Sequence, residues 1–242
     1  MRDITLLELL KSGAHFGHTT SRWNPKMKPY IFTVRNNIHI LDLEKTKKAL
    51  VKAAKFAGEV SGRGGIVLFV GTKRQSKEII KRTAEACGMP YINVRWLGGT
   101  FTNFKTIQKT IRKMEKLESL KASGELENHY TKKERLLIER EIEKMKKLFE
   151  GISGMKKLPE AIFVTDVKHD AIAVKEAQKS KVKIIGLVDT NCSPVGVDYT
   201  IPANDDATKV IELMCGVIAD AIVDGRSAAP VVKEADKAPV VA

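Results

Sequence analysis

Gly65-Ile66-Val67-Leu68-Phe69-Val70, running straight into Gly71-Thr72-Lys73-Arg74-Gln75, is the stretch on which the fold turns. Its apolar run is unbroken and has no polar face, so it reads as a strand covered on both sides, as in a parallel sheet. Thr72-Lys73-Arg74-Gln75 fits a capping box that opens the following helix, and Gly88 stops that helix. Residues 91–94 form the next strand. The alternation resumes with a strand at 161–165, a helix at 169–179, a strand at 183–188 and a short strand at 199–201. Asn204-Asp205-Asp206 then caps a final helix reaching Asp224. Repeated strand–helix units imply a mostly parallel α/β sheet with helices on both faces.

Upstream, Thr5-Leu6-Leu7-Glu8 opens a short helix that Gly13 ends. Residues 14–30 are irregular and rich in His, Arg, Lys, Asn and Pro. Residues 30–34 and 38–41, joined by Arg35-Asn36-Asn37, read as a hairpin, and Asp42 caps a helix to about residue 60. Between the α/β blocks the texture changes. Phe104, Ile107, Ile111 and Met114 keep a three-four spacing, as do Ile138, Ile142, Met145, Phe149 and Ile152. With a turn at Gly124 and a capping box at Thr131-Lys132-Lys133-Glu134, these predict two antiparallel helices on an apolar seam, an inserted coiled coil. The expected organisation is a discontinuous α/β domain (1–104 and 158–224), a helical hairpin (105–157) and a flexible tail (225–242).

Charge narrows the function. The 242 residues hold 42 Lys and Arg against 29 Asp and Glu, a net charge of +13. Residues 1–61 carry roughly six surplus positive charges, 62–104 about five and 105–157 about six, whereas 158–224 run about five negative. Such asymmetry fits one side built against a polyanion. Cys87, Cys192 and Cys215 lie far apart with no CxxC pair, which argues against a disulfide framework and for a reducing compartment. No signal-peptide pattern or membrane-length apolar run occurs, so the expected location is cytoplasmic, with no membrane partner.

Four chemistries compete for the loops at the strand ends. A mononucleotide site is suggested by Gly71-Thr72 ahead of a helix, but neither GxxxxGK[ST] nor GxGxxG is present. A carboxylate enzyme would use Asp166 and Asp189, with Asp205 and Asp206 near in sequence; helix capping accounts equally well for several of these. A zinc or magnesium clamp would draw on His18, Asp189 and Asp205, with His15 and Cys192 in reach, against the alternative that the histidines merely pack and bond locally.

Nucleic-acid contact is the fourth and leading reading. Residues 21–30, Ser-Arg-Trp-Asn-Pro-Lys-Met-Lys-Pro-Tyr, interleave cations with rings on an extended loop, which suits a backbone flanked by stacked bases. Arg95-Trp96-Leu97-Gly98-Gly99-Thr100-Phe101-Thr102-Asn103-Phe104 adds a guanidinium, glycines and hydroxyls suited to phosphate, or else a packed turn whose rings are core. Candidate RNA contacts are Arg22, Trp23, Asn24, Lys26, Lys28, Lys73, Arg74, Arg95, Asn103 and Lys105.

Several motifs together resemble the bacterial small-subunit ribosomal protein two family. They are Gly13-Ala14-His15-Phe16-Gly17-His18, Trp23-Asn24-Pro25-Lys26-Met27, Ile38-His39-Ile40-Leu41-Asp42-Leu43, Gly71-Thr72-Lys73-Arg74, Arg95-Trp96-Leu97-Gly98-Gly99-Thr100, Asp189-Thr190-Asn191-Cys192 and Ile201-Pro202-Ala203-Asn204-Asp205-Asp206. They occur in the family's order and span nearly everything but the tail. The resemblance implies a three-layer, flavodoxin-like fold with an inserted helical hairpin. It further implies a non-enzymatic component of the small ribosomal subunit, bound to 16S ribosomal RNA between head and body. Other small-subunit proteins would be partners, among them the mRNA-binding protein one, which it would help to dock; no small-molecule substrate is implied. Phe101 stands where many relatives are expected to carry an aliphatic residue.

Overall fold

The computed structural model describes residues 4–126 and 130–228. Five strands form one wholly parallel sheet: β4 (Val67–Val70), β5 (Tyr91–Ile92), β6 (Ala161–Val164), β7 (Lys183–Val188) and β8 (Tyr199–Pro202). Their spatial order is β5-β4-β6-β7-β8. The first of these strands in the chain thus lies second in the sheet, the doubly wound order of flavodoxin-like folds. The unbroken apolar runs are explained by their neighbours. Phe69 and Phe163 face one core with Ile185 and Leu187, while Leu68, Val70, Ile162 and Val164 face the other.

Helices α2 (Leu43–Gly62), α3 (Lys77–Cys87) and α7 (Thr208–Ala228) cover the first face, with α1 (Leu6–Ser12) at its margin. Helix α6 (Ala171–Lys179) and the sheet-proximal parts of α4 (Phe104–Ala122) and α5 (Lys132–Phe149) cover the second. The chain is therefore α/β in three layers, as expected. Along α4 and α5 the predicted stripes meet: Ile107, Ile111 and Met114 are buried, as are Ile142, Met145 and Phe149. Lys113–Glu141 at 2.6 Å and Lys121–Glu139 at 2.9 Å tie the flanks in antiparallel sense. The Thr131–Glu134 capping box is formed, with Gly124 left-handed in the turn.

Several local expectations are corrected. Residues 14–30 are not wholly irregular: β1 (Phe16–Thr19) pairs antiparallel with β3 (Ile38–Leu41), which pairs in turn with β2 (Ile31–Arg35). Gly17 and His18 break the alternation that would have betrayed β1. Asn36 and Asn37, both left-handed, turn the β2–β3 hairpin. Thr72 caps nothing, because α3 starts only at Lys77; the Thr72 N–H and hydroxyl donate instead to Asp170 at 3.2 and 2.7 Å. Strand β5 stops at Ile92, and α7 begins at Thr208 without a cap from Asp205 or Asp206, whose carboxylates are engaged elsewhere. Helix α7 also continues through Gly225, which packs on Gly58 of α2, so residues 225–228 are helical and not tail. The remaining tail lies outside the described residues from 229 onward.

Candidate nucleic-acid interface

The carboxyl edge of the sheet gathers the loops that follow β4, β5, β6, β7 and β8. Lys73, just past β4, is the hub. Its ammonium lies 3.0 Å from Asp166 Oδ2, 3.0 Å from Asp205 Oδ1 and 2.6 Å from Asp206 Oδ1, and it also donates to the Asp205 carbonyl at 3.3 Å. Burial works against the charge on Lys73, but Asp206, Asp205 and Asp166 outweigh it and hold its pKa above the usual lysine value. One ammonium cannot neutralise three carboxylates. Asp205 accordingly has its pKa pushed up to about 7, by burial first and then by Asp166 and Asp189. His18 bridges to this cluster, with Nδ1 3.1 Å from Asp189 Oδ2 and Nε2 3.6 Å from Asp206 Oδ2. The hydrogen bond to Asp189 raises its pKa, burial opposing.

This arrangement removes Lys73 from the expected RNA contacts, since its charge is consumed inside the protein. It also answers the carboxylate-enzyme reading. Asp166 Oδ1 accepts the N–H groups of Lys168 and His169 at 2.9 and 2.8 Å while Oδ2 faces Lys73, and Asp189 is held by Thr190 and His18. Both carboxylates therefore have structural partners at this edge.

The compact group with metal-ligand spacing among the described residues is Asp166, Cys192 and Asp205, within 4.8 Å of one another. Of the expected set His18, Asp189 and Asp205, it contains only Asp205. A zinc or magnesium ion fits this group poorly: Lys73 already bonds both carboxylates, and burial, reinforced by Asp205, Asp166 and Asp189, pushes the Cys192 thiol up to about 12.

The loop at 20–30 is fastened to the same edge. The Asn24 N–H donates to the Thr190 carbonyl at 2.7 Å, and the His18 N–H to the Thr190 hydroxyl at 2.8 Å. Gly17 permits this approach, since a Cβ there would sit 2.6 Å from Thr190 Cγ2. Asn24 caps a 3₁₀ turn (Pro25–Tyr30) by accepting the Lys26 N–H at 3.0 Å, and Met27 is buried beneath it. Trp23 is half-buried with its ring against His39, centroids 5.0 Å apart. Arg22, Lys26 and Lys28 are exposed.

Around the rest of the edge, Arg74, Arg95, Asn103 and Lys105 are exposed as well. None of Arg22, Lys26, Lys28, Arg74, Arg95 and Lys105 has a carboxylate partner among the described residues. Trp96 and Phe101, by contrast, are buried edge to face at 5.0 Å, so the rings of the Arg95 loop are core rather than stacking surfaces. The glycine-loop N–H groups are not free either: those of Gly99, Phe101 and Thr102 all donate to Glu176 of α6. Sequence reasoning missed Glu176, a lone carboxylate in an ordinary helix with no motif around it.

Two comparisons bear on this arrangement. A family model described as Ribosomal protein S2 matches residues 9–225. A curated relative named small ribosomal subunit protein uS2, from Geotalea uraniireducens (strain Rf4), is 47% identical over 228 residues, covering 94% of this chain and 89% of its own. The matched span takes in the sheet, the Lys73 cluster and the basic loops, and the chain belongs to the ribosomal protein S2 family.

Proposed function

We propose that this protein, a structural constituent of the small ribosomal subunit and not an enzyme, grips 16S ribosomal RNA between the head and body of the particle through the carboxyl edge of its sheet. Its place is the ribosome in the bacterial cytoplasm. The carrying observation is the placement of Arg22, Lys26, Lys28, Arg74 and Arg95: five exposed cations without carboxylate partners among the described residues, on loops anchored to one edge. Cations on anchored loops suit a folded polyanion, because little loop entropy remains to be lost on binding. Of the acidic groups of that edge, Asp166, Asp189 and Asp205 are buried and Lys73 offsets part of their charge, while Asp206 stays exposed. Among the described residues no helix is long and apolar enough to cross a membrane.

A second surface suits a protein partner, and protein one is the partner this reading assigns to it. Leu6, Leu7 and Leu10 of α1 are 43%, 57% and 49% exposed, and Phe32 of β2 is 75% exposed. Leu10 and Phe32 line a groove of about 390 Å³ with Ile40, Leu41 and Leu43. Contiguous apolar exposure of this kind is characteristic of protein interfaces.

The test is charge reversal of the 20–30 loop. The triple variant Arg22→Glu, Lys26→Glu, Lys28→Glu is expected to bind a 16S ribosomal RNA transcript weakly and to enter small subunits poorly. Its circular dichroism should match the unaltered protein, because exposed substitutions shift stability by only about 0.5 kcal/mol each. Normal incorporation of this variant removes the loop as an RNA grip.

A further inference from the structure

One buried carboxylate holds the Arg95 loop from beneath. Glu176 Oε1 accepts the Gly99 N–H at 2.6 Å, while Oε2 accepts the Phe101 and Thr102 N–H groups at 2.9 and 3.3 Å and the Thr102 hydroxyl at 3.4 Å. These donors lie just ahead of α4. That helix has no cap from its own N-cap residue, Asn103, whose side chain accepts the Thr106 hydroxyl at 2.7 Å instead. Backbone N–H groups converging before a helix are the cradle that proteins offer to phosphate. Here the chain supplies the anion itself. Burial works against ionisation of Glu176, but the N–H groups of Phe101, Gly99 and Thr102 outweigh it and hold the carboxyl below its ordinary pKa.

The structure assigns Glu176 a positioning role: it is the resident anion of the cradle before α4, fixing the loop so that Arg95, Asn103 and Lys105 are presented to RNA while closing the cradle itself to RNA phosphate. The inference rests on the RNA reading given above. Its physical basis is pre-organisation. Left-handed Gly99 and the turn through Asn103 bring three N–H groups together, and without an anion those donors would sit unpaired beside the buried Trp96 and Phe101. The loop would open to hydrate them, and Arg95 would then have to be ordered at the moment of binding.

The full-length protein and its Glu176→Ala, Glu176→Gln and Arg95→Ala variants decide the matter, with acetate as the probe that replaces the missing carboxylate. In Glu176→Ala the amide resonances of Gly99, Phe101 and Thr102 should move, and affinity for a 16S ribosomal RNA transcript should fall roughly tenfold. Acetate should return both toward the unaltered protein, whereas chloride at equal ionic strength should not. Amides indifferent to acetate overturn the resident-anion assignment. Unaltered RNA affinity in Glu176→Ala, alongside weakened binding in Arg95→Ala, overturns the positioning role and leaves the RNA reading intact. Full affinity in Arg95→Ala removes RNA contact from this loop, while the acetate response of the amides still decides what Glu176 does. Should Glu176→Ala not fold, Glu176→Gln keeps the shape without the charge. It should displace the Phe101 and Thr102 amides and weaken RNA binding, and a Gln variant identical to the unaltered protein overturns the need for an anion.

Discussion

Lys73 Nζ lies 3.0 Å from Asp205 Oδ1, beneath loops that the sequence presents as an RNA-facing basic motif. The cation that looks most like a phosphate ligand is thereby the counter-ion of the protein's own acidic cluster. Lys73→Met should lower unfolding stability by about 3 kcal/mol, because it strands buried carboxylates without their cation. Urea denaturation near neutral pH measures this, and a change below about 0.5 kcal/mol would show that water serves the cluster equally well.

Arg74, the next residue, is exposed and should behave in the opposite way. Arg74→Gln is expected to leave stability unchanged and to reduce the salt slope of RNA binding by roughly one. Where Lys73→Met remains folded, its slope should equal that of the unaltered protein. Filter binding across a salt series separates the two neighbours.

The cluster also makes stability depend on pH. Asp205, with its pKa raised by burial and by Asp166 and Asp189, binds a proton more tightly folded than unfolded. Its contribution is complete below the ordinary value of 3.8 and is lost as pH rises to about 7. His18 is raised by its bond to Asp189, so its contribution is present below 6.5 and lost as pH rises through its folded value. His15 and His39, lowered by burial, act with the opposite sign and favour the folded state as pH climbs toward 6.5. In Asp205→Asn the decline between pH 4 and 7 should flatten, read from urea midpoints at each pH. Histidine ring resonances should titrate later for His18 than for His15 and His39.

Helices α2 and α7 meet backbone to backbone at Gly58 and Gly225. A Cβ at Gly58 would lie 2.8 Å from the Ala221 carbonyl oxygen, and helix backbone cannot yield there as a flexible side chain would. Gly58→Ala should therefore destabilise by about 1–3 kcal/mol despite alanine's better helix propensity. Thermal unfolding that rises instead of falling would mean that the two helices can separate at no cost.

The sequence by itself determined the layered α/β fold, because doubly buried strands must be continuously apolar and amphipathic helices must keep a three-four spacing. GIVLFV at 65–70 and the stripes of α4 and α5 carry that information locally, and so do caps such as Thr131–Glu134. Its motifs also fixed the family, and its charge asymmetry singled out the basic loops. Only the tertiary structure decided which polar groups of those motifs are spent internally. Thr72 reads as a cap until Asp170 is seen 2.7 Å from its hydroxyl, Lys73 reads as a phosphate ligand until three aspartates surround it, and the Gly99 loop reads as an anion cradle until Glu176 fills it. In each case the partner comes from a distant strand end or helix. Electrostatic pairing acts through space, and no spacing along the chain encodes it.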